Sequence, residues 1–392
     1  PRRFPSFAEI LARIDRFFPL IAAAATFAVL WPLYQIGVDP HHDGIMFKTA
    51  ADIADGQRLF ADTFSQYGAL THYLHALGIL LFGKNVLSIR LISVLMYAVA
   101  AGFLVAAWRI FLPLSLTALA LVFFLAFAPD HSTATLSSPW SSIDALAYQS
   151  AATFFLLRSL RERRSPTSEF LTGAATACTF LARTPVGVFL FAAVFGVLVF
   201  VAAKERFSRA SLMRIVRVLV GFAAVLGLFF VVLVLTNAVR EWVAQIFVWP
   251  AQWAKHHGTG AKRIFDSLIL NVANYHPHTW LKFLPVVLFA ITAIHLWDRG
   301  ATRRPLRYVS LASALASAVG AAYLFVRERH LFTDINGWAP MLPWLVAAGT
   351  LFAAALVLFG RGTDLASRAG LLGVSAVALS SWMQFYPVSD PR

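Results

Sequence analysis

Long apolar runs separated by short polar segments extend over the whole chain. Runs of about 17 to 25 mostly apolar residues suit α-helices that cross a hydrocarbon core about 30 Å thick. The ten-residue alternating pattern of a membrane β-barrel is absent from the sequence. The pattern therefore predicts an all-α polytopic membrane protein with about 11 transmembrane helices, with 10–13 also compatible. We place them at residues 17–37, 86–108, 111–128, 143–157, 169–183, 185–203, 215–236, 281–297, 308–326, 338–358 and 367–385.

The segment 67–83 is apolar enough to cross a membrane but carries Thr71, His72, Tyr73 and His75. If it crossed, the basic clusters at 161–164 and 204–206 would lie outside, against the positive-inside rule. We therefore predict an interfacial or re-entrant helix here and a cytoplasmic N-terminus. This topology leaves two long outer segments, 38–85 and 237–280, and puts most acidic residues and histidines on the outer side.

Composition agrees with this fold class. The chain has 59% hydrophobic and 13% charged residues, with a mean hydropathy of +0.70, whereas about a quarter of a soluble protein's residues are charged. In a soluble domain, the net charge of +14 would suggest nucleic acid. Here the basic residues lie in short clusters between apolar runs, so we attribute them to membrane topology and expect lipid, not nucleic acid, as a partner. The single Cys178 provides no disulfide framework.

The stretch 38–44 follows the first apolar run and contains Asp39, His41, His42 and Asp43. A carboxylate in a partly dry cavity at the membrane surface can act as a general base, and Asp43 and Asp39 are the candidates. The alternatives are an N-cap for Asp43, before a helix predicted over 45–55 that stops at Gly56, and a turn residue for Asp39. The same four side chains are weak candidates for a divalent metal site, since neighbours on an extended segment point apart and cannot all converge.

Two arginines lie at the predicted outer membrane boundary: Arg90 begins one helix and Arg183 lies in a hairpin between two others. Ionisable residues at membrane depth are costly and often functional, and guanidinium binds phosphate with two parallel hydrogen bonds. We therefore name both as candidate ligands of a phosphate group on a donor substrate. The alternative is snorkelling to the interface, which is common near helix ends.

Other outer polar residues are candidate substrate contacts. Asp144 begins a helix, so helix capping is its alternative role, and the loop that holds His330 and Asp334 is alternatively a solvated loop. Trp140 could stack on a sugar ring or belong to an aromatic belt at the interface. The full set of candidate substrate-binding residues is His42, Gln66, Tyr67, Asp144, His330 and Asp334.

Several short motifs occur in a characteristic order: Asp43-Gly44-Ile45-Met46-Phe47, then 54–62, Gln66-Tyr67-Gly68 with the residues up to 73, 81–83 and Ile89-Arg90-Leu91. In this order they resemble the N-terminal module of C-type (GT-C) glycosyltransferases, most closely the protein O-mannosyltransferase and aminoarabinose-transferase branch. The resemblance covers residues 17 to about 203. Gly44 stands where the family has the second of two acids, and Gln66-Tyr67-Gly68 stands where relatives often have Lys-Pro-Pro.

The resemblance implies a GT-C bundle with interfacial helices in the first outer loop, a polyprenyl-phosphate sugar donor and an outward-facing active site. It implies Asp43 as the catalytic base of an inverting transfer to a glycolipid, polysaccharide or protein. It implies no required cofactor, and a divalent metal remains the weaker alternative. On this basis we divide the chain into a catalytic module, 1–203, and a variable C-terminal module, 204–392. We expect the chain to be incomplete at both ends.

We place the protein in the bacterial inner membrane, with its active site on the periplasmic side. Two other classes fit an apolar chain of this kind. A flippase for lipid-linked oligosaccharides would carry ionisable residues along a path near the bilayer midplane. A structural subunit would have no need of Asp43.

Overall fold

The computed structural model describes residues 7–112, 114–127, 139–162, 165–256, 319 and 365–383. In these ranges the secondary structure is helical, apart from one isolated bridge between Leu59 and Thr63. The all-α fold predicted from the sequence is confirmed. The helices are α1 Phe7–Leu30, α2 Pro40–Ala54, α3 Ala69–Phe82, α4 Val86–Trp108, α5 Leu114–Phe127, α6 Ser141–Arg161, α7 Pro166–Ala182, α8 Thr184–Lys204, α9 Arg209–Leu235, α10 Val239–Val243, a π-helix Ala244–Val248, α11 Trp249–His256 and α12 Leu365–Met383.

Most predicted spans coincide with helices. The bounds of α4 are those predicted, and α5 to α8 and α12 begin and end within four residues of their predicted positions. Helix α9 ends within one residue of its predicted position but begins six residues earlier than predicted, at Arg209. Among the described helices, α4, α8 and α9 are long and apolar enough to cross a membrane. The spans predicted at 281–297, 308–326 and 338–358 lie outside the described residues.

The first predicted span, 17–37, is displaced. Helix α1 begins by Phe7 and ends at Leu30, followed by turns. The end is set by Pro32, because a proline disfavours helical backbone at the preceding residue and has no N–H to continue the helix. The polar first half of α1 is held by Asp15, whose carboxylate accepts a hydrogen bond of 2.7 Å from Nε of Arg109 at the end of α4.

The predicted start of the second helix, Ile45, is also wrong. Helix α2 begins five residues earlier at Pro40, and Asp39, not Asp43, is its N-cap. Proline at the first helical position has the φ angle that a helix needs and lacks only an N–H that would be unpaired there. The predicted stop is confirmed, because Gly56 has a φ of +90° directly after the helix.

The segment predicted to be interfacial or re-entrant forms α3, with 14 residues. At 1.5 Å per residue it spans about 21 Å, less than the hydrocarbon core. Its length fits the predicted interfacial placement. Helix α3 packs on α2, α4 and α7, so it belongs to the bundle.

Helices α7 and α9 approach each other most closely through two glycines. A Cβ added at Gly173 would clash with the carbonyl of Val218, and one added at Gly221 would clash with the carbonyl of Phe170. Small residues let backbones come this close, and such contacts stabilise helix pairs in membranes, where apolar burial contributes little. Near the start of the two helices, the buried Glu169 accepts a hydrogen bond of 2.8 Å from Arg217.

The two ends of the bundle differ in chemistry. Basic residues lie at one end, including Arg109 after α4, Arg158 and Arg161 in the last turn of α6, and Lys204 at the end of α8. Helices α2 and α3 lie at the other end, with the start of α4 and the hairpin between α7 and α8. This separation matches the predicted topology, and the assignment of the basic end to the cytoplasm stays a prediction.

The chain divides into two compact units, residues 1–257 with 346–389, and residues 258–345 with 390–392. All the helices given above belong to the first unit. The predicted division into modules after residue 203 stays a prediction.

We predict that Gly173→Ala lowers the stability of the folded bundle, because the added methyl group forces α7 and α9 apart. The expected loss is about 1–3 kcal/mol, measured as a shift in thermal unfolding in detergent. The matched control is Gly227→Ala in α9, where nothing lies within 4 Å of the added Cβ. It should change stability by less than about 1 kcal/mol. Equal stability of the two variants would contradict the close contact.

Candidate functional site

An open cavity of about 630 Å³ lies at the end of the bundle formed by α2 and the loop before α3. One wall is the face of α2 that carries Lys48, Thr49 and Asp52. The other wall is the loop, residues 57–67. The lining residues are Pro40, His41, Gly44, Ile45, Lys48, Thr49, Asp52, Gln57, Asp62, Thr63, Phe64, Ser65, Gln66, Tyr67 and His72.

Asp39 organises the first turn of α2. Its Oδ1 accepts the backbone N–H groups of His41 and His42, each at 3.0 Å, and its Oδ2 lies 2.6 Å from Nδ1 of His42. Because a carboxylate only accepts, Nδ1 carries the hydrogen of this bond. The backbone N–H of His42, followed by its ring, holds the pKa of the Asp39 carboxyl below its ordinary value. The His42 side chain remains 31% exposed, so this pair is accessible.

Asp43 points away from the cavity, toward α4. Its carboxylate forms a two-pronged ion pair with Arg90, in which Nε donates to Oδ1 at 3.1 Å and Nη2 donates to Oδ2. Oδ2 also accepts the backbone N–H of Asp39 at 2.9 Å. Both side chains are sealed from solvent, at 2% and 1% exposure.

Arg90 also fixes the chain between α1 and α2. Its Nη1 donates to the carbonyls of Tyr34 at 3.1 Å and Gly37 at 2.8 Å. Three segments are therefore joined at one guanidinium: the end of α1, the first turn of α2 and the first turn of α4. With most of its donors occupied, Arg90 is not free to bind phosphate in this conformation, and its predicted role as a ligand stays a prediction.

Ion pairs and hydroxyls shape the polar walls of the cavity. Lys48 contacts both oxygens of Asp52, at 2.7 and 2.5 Å, and Thr63 donates to the same carboxylate at 3.1 Å. Arg58 binds Asp62 with Nε and Nη2, at 2.9 and 2.7 Å, and this pairing lowers the pKa of Asp62 to about 2. Both carboxylates are thus held in place next to the cavity.

Tyr67 brings the loop into contact with the hairpin between α7 and α8. Gly68 beside it packs on the end of α7, where an added Cβ would clash with the carbonyls of Leu181 and Ala182. Burial raises the pKa of the Tyr67 hydroxyl, and the nearby positive charge of Arg183 opposes that rise. Arg183 is half-buried, and its guanidinium has no hydrogen-bond or ion-pair partner within the described part of the chain.

Aromatic rings line the approach to the cavity. The ring of Trp140 lies 4.4 Å from that of His42 and 5.9 Å, edge-on, from that of Tyr67. Trp140 immediately precedes α6, so it joins that helix to the first turn of α2 and the loop. An aromatic face beside polar groups is suited to the apolar side of a sugar ring.

The predicted substrate contacts fall into three groups. Gln66 and Tyr67 line the cavity, and His42 lies beside Trp140. Asp144 is fully buried in α6, and neither of its carboxylate oxygens has a hydrogen-bond partner among the described residues. His330 and Asp334 lie outside the described residues. All six assignments stay predictions.

For the metal proposal, the structure brings Asp39 and His42 together and turns Asp43 toward Arg90. Among the described residues, no group of three His, Cys, Asp or Glu side chains could hold a metal ion. The segment is helical where we expected it to be extended, and His41 and Asp43 lie on different sides of α2. Any requirement for a metal is untested.

Sequence reasoning missed several cavity residues. The i, i+4 spacing of Lys48 and Asp52 indicates an ion pair on one helix face but nothing about a cavity. Thr63 and Ser65 are residue types common in loops, so the sequence gives no reason to assign them to a cavity. Gln245, which holds the loop from a distance of 180 residues, had no signal at all.

Comparison with known proteins was informative for the central part of the chain. Residues 68–235 match the model of a family described as dolichyl-phosphate-mannose-protein mannosyltransferase. The GT-C resemblance is confirmed. The matched segment runs from Gly68 beside the cavity to the end of α9, and it contains Arg90, Asp144 and Arg183. Asp39 and Asp43 precede it.

The chain was also compared with curated proteins and with solved structures. No curated protein matches it. Among solved structures, it is similar to the crystal structure of ArnT from Cupriavidus metallidurans bound to undecaprenyl phosphate. That match has a TM-score of 0.41 and 15% sequence identity, and it covers 96% of this chain and 76% of that one.

We predict that Asp43→Ala destabilises the protein by about 3–5 kcal/mol, because it leaves Arg90 buried without a counter-charge. Replacing both members, as in Asp43→Asn with Arg90→Met, should recover about half of that loss, since no buried charge remains unpaired. Thermal unfolding in detergent measures both effects. If Asp43→Ala unfolds at the wild-type temperature, the ion pair between Asp43 and Arg90 does not stabilise the protein.

Proposed function

We propose that this protein transfers a sugar from a polyprenyl-phosphate donor to a cell-envelope acceptor at the outer face of the membrane. The family match over residues 68–235 supports the reaction class, and the observation that carries the proposal is the cavity itself. It is open, it is lined largely by polar side chains, and it lies at one end of a bundle of membrane-length helices. The guanidinium of Arg183, which has no partner in the described part of the chain, lies near it. A donor whose head group is polar and whose tail is a long isoprenoid needs both environments at once.

Arg183 is the proposed ligand of the donor phosphate. It is half-buried, its charge acts on Tyr67 at the cavity wall, and no acid in the described part of the chain occupies its donors. Charge-assisted hydrogen bonds to phosphate are about twice as strong as neutral ones. The isoprenoid tail would then follow the apolar surface of neighbouring helices into the lipid.

The transfer itself is a substitution at the anomeric carbon. The acceptor oxygen attacks that carbon from the face opposite the phosphate, forming the new glycosidic bond and inverting its configuration. The bond to the phosphate oxygen breaks, and its electron pair leaves with the lipid phosphate, where Arg183 stabilises the added charge. The proton of the acceptor hydroxyl goes to a general base of the protein.

Two groups are candidates for that base. Asp43 is the residue that the family resemblance implies, and acting as the base requires its carboxylate to leave Arg90 and turn toward the cavity when substrate binds. The second candidate is His42, a partly exposed imidazole whose Nε2 could accept a proton while Asp39 stabilises the resulting imidazolium through Nδ1. We propose Asp43 as the base and His42 as the alternative.

The alternative function is a flippase for lipid-linked oligosaccharides, without sugar transfer. The polar cavity lies at one end of the bundle, and a translocation path would need polar groups continuing along the membrane. Transfer is therefore the better supported function. We place it on the periplasmic side of a bacterial inner membrane, where the acceptor would be a glycolipid, a polysaccharide or a protein.

We predict that replacing Asp43 lowers sugar transfer from labelled polyprenyl-phosphate sugar by about 10²–10⁴-fold, the usual contribution of a general base. The variant to use is Asp43→Asn with Arg90→Met, assayed once thermal unfolding in detergent has shown that it is folded, so that loss of activity is separated from loss of the fold. His42→Gln should lower transfer by less than about tenfold, because it removes only a neighbouring group.

The reverse order of effects would assign the base to the pair of His42 and Asp39. Full transfer by the Asp43 variant would rule out Asp43 as the base. A wild-type protein that moves lipid-linked sugar across vesicles but transfers none would favour the flippase.

We predict that Arg183→Gln raises the KM for the polyprenyl-phosphate donor by about 10–100-fold, because a charge-assisted hydrogen bond to phosphate is lost. The matched control is Arg158→Gln, which removes a half-exposed arginine at the opposite end of the bundle. A donor KM that is the same in both variants would exclude Arg183 as the phosphate ligand.

A further inference from the structure

Two stretches that are far apart in the sequence meet at the cavity. The first is the rim loop, residues 57–67, and the second is the outer arm, residues 236–256, which follows α9. Arg58 donates to the carbonyl of Thr236 at 3.2 Å, and the ring of Phe64 stacks on that of Trp249 with centroids 5.9 Å apart. Both contacts lie near the surface, so they alone would hold the loop only weakly.

Gln245 is the buried part of this contact. Its Oε1 accepts the backbone N–H of Ser65 and its Nε2 donates to the carbonyl of Phe60, both at 2.9 Å. The residue is only 6% exposed. A single amide therefore satisfies one donor and one acceptor of the rim loop, and buried backbone groups of this kind are costly to leave unpaired.

The local backbone is unusual on both sides of this bridge. Gln245 lies in the π-helix Ala244–Val248, a form found mostly as single turns and often at functional sites. Phe60 has a φ of 70°, a left-handed conformation that costs energy in a residue with a Cβ. The hydrogen bond from Gln245 to the carbonyl of Phe60 stabilises this strained turn.

The hydrogen bonds of Gln245 connect to the cavity wall through Ser65. The Oγ of Ser65 accepts the backbone N–H of Tyr67 at 3.0 Å and lies 2.6 Å from Nε2 of His72. Residues 63–67 form one wall of the cavity, so a shift of Ser65 shifts Tyr67 with it. The position of this wall thus depends on an amide in the outer arm.

We infer that Gln245 is a positioning residue that holds the cavity wall in its donor-binding arrangement, and that the outer arm is therefore part of the site. The inference rests on the proposed function for its reference to a donor. The physical contact does not depend on that function and can be measured separately.

The test uses Gln245→Leu, which removes both hydrogen bonds, and Gln245→Glu, which keeps the acceptor for Ser65 but loses the donor to Phe60. Gln252→Leu, at an exposed glutamine of α11 in the same arm, is the matched control. Hydrogen exchange of peptides that cover residues 59–67 reports on the contact. Exchange in Gln245→Leu should be about tenfold faster, with an intermediate rate in Gln245→Glu and no change in the control.

Binding and kinetics report on positioning. In Gln245→Leu the Kd for polyprenyl phosphate and the KM for the donor should rise about tenfold, while kcat changes by less than about twofold, because the reacting groups are untouched. Partial recovery in Gln245→Glu would be expected from a positioning role. A fall in kcat at unchanged KM and Kd would overturn it.

The two proposals fail differently. If wild-type protein neither binds polyprenyl phosphate nor transfers sugar, the proposed function is wrong, and hydrogen exchange alone decides whether Gln245 holds the wall. If exchange in Gln245→Leu equals that of the wild type, the inference about Gln245 is overturned, whatever the transfer assay shows.

Discussion

The buried ion pair between Asp43 and Arg90 is the interaction on which the end of the bundle that carries α2 and α3 depends. A guanidinium near the membrane boundary is expensive unless its donors are paired. Here they are paired with a carboxylate and with two carbonyls released where α1 ends. One side chain thus satisfies groups from three segments and fixes the start of α2. The face of α2 opposite Asp43 is then free to form a wall of the cavity.

One wall of the cavity is a helix, and the other is a loop held by residues that are distant in the sequence. The α2 wall is part of a capped helix, with Asp39 at its start and Gly56 after its end. The opposite wall is a loop without regular structure, and its shape comes from contacts with Asp52, the end of α7 and the outer arm.

The charged groups near the cavity differ in whether they have a partner. The acids next to the cavity, Asp52 and Asp62, are each neutralised by a basic residue on the same segment. Arg183 has no such partner in the described residues and lies near Tyr67, and for this reason we propose it as the phosphate ligand. The imidazole of His42 is partly exposed and is held by Asp39, and Asp43 is the proton acceptor that the GT-C resemblance implies.

The amino-acid sequence by itself determined the fold class and most helix bounds. Membrane-length apolar runs can be satisfied only as helices, and local signals such as Asn85 before α4 and Gly56 after α2 mark their ends. It also indicated the family, through short motifs in a fixed order. Where prediction failed locally, at the end of α1 and the start of α2, a proline outweighed the hydrophobic pattern.

Only the tertiary structure decided which polar groups meet. Asp43 and Arg90 are 47 residues apart, and Gln245 and Ser65 are 180 apart. No periodicity or spacing in the sequence encodes such pairs, because they follow from how helices pack and from the need to pair every buried polar group. That requirement turned Asp43 toward Arg90 and away from the cavity, and it placed the outer arm against the rim loop.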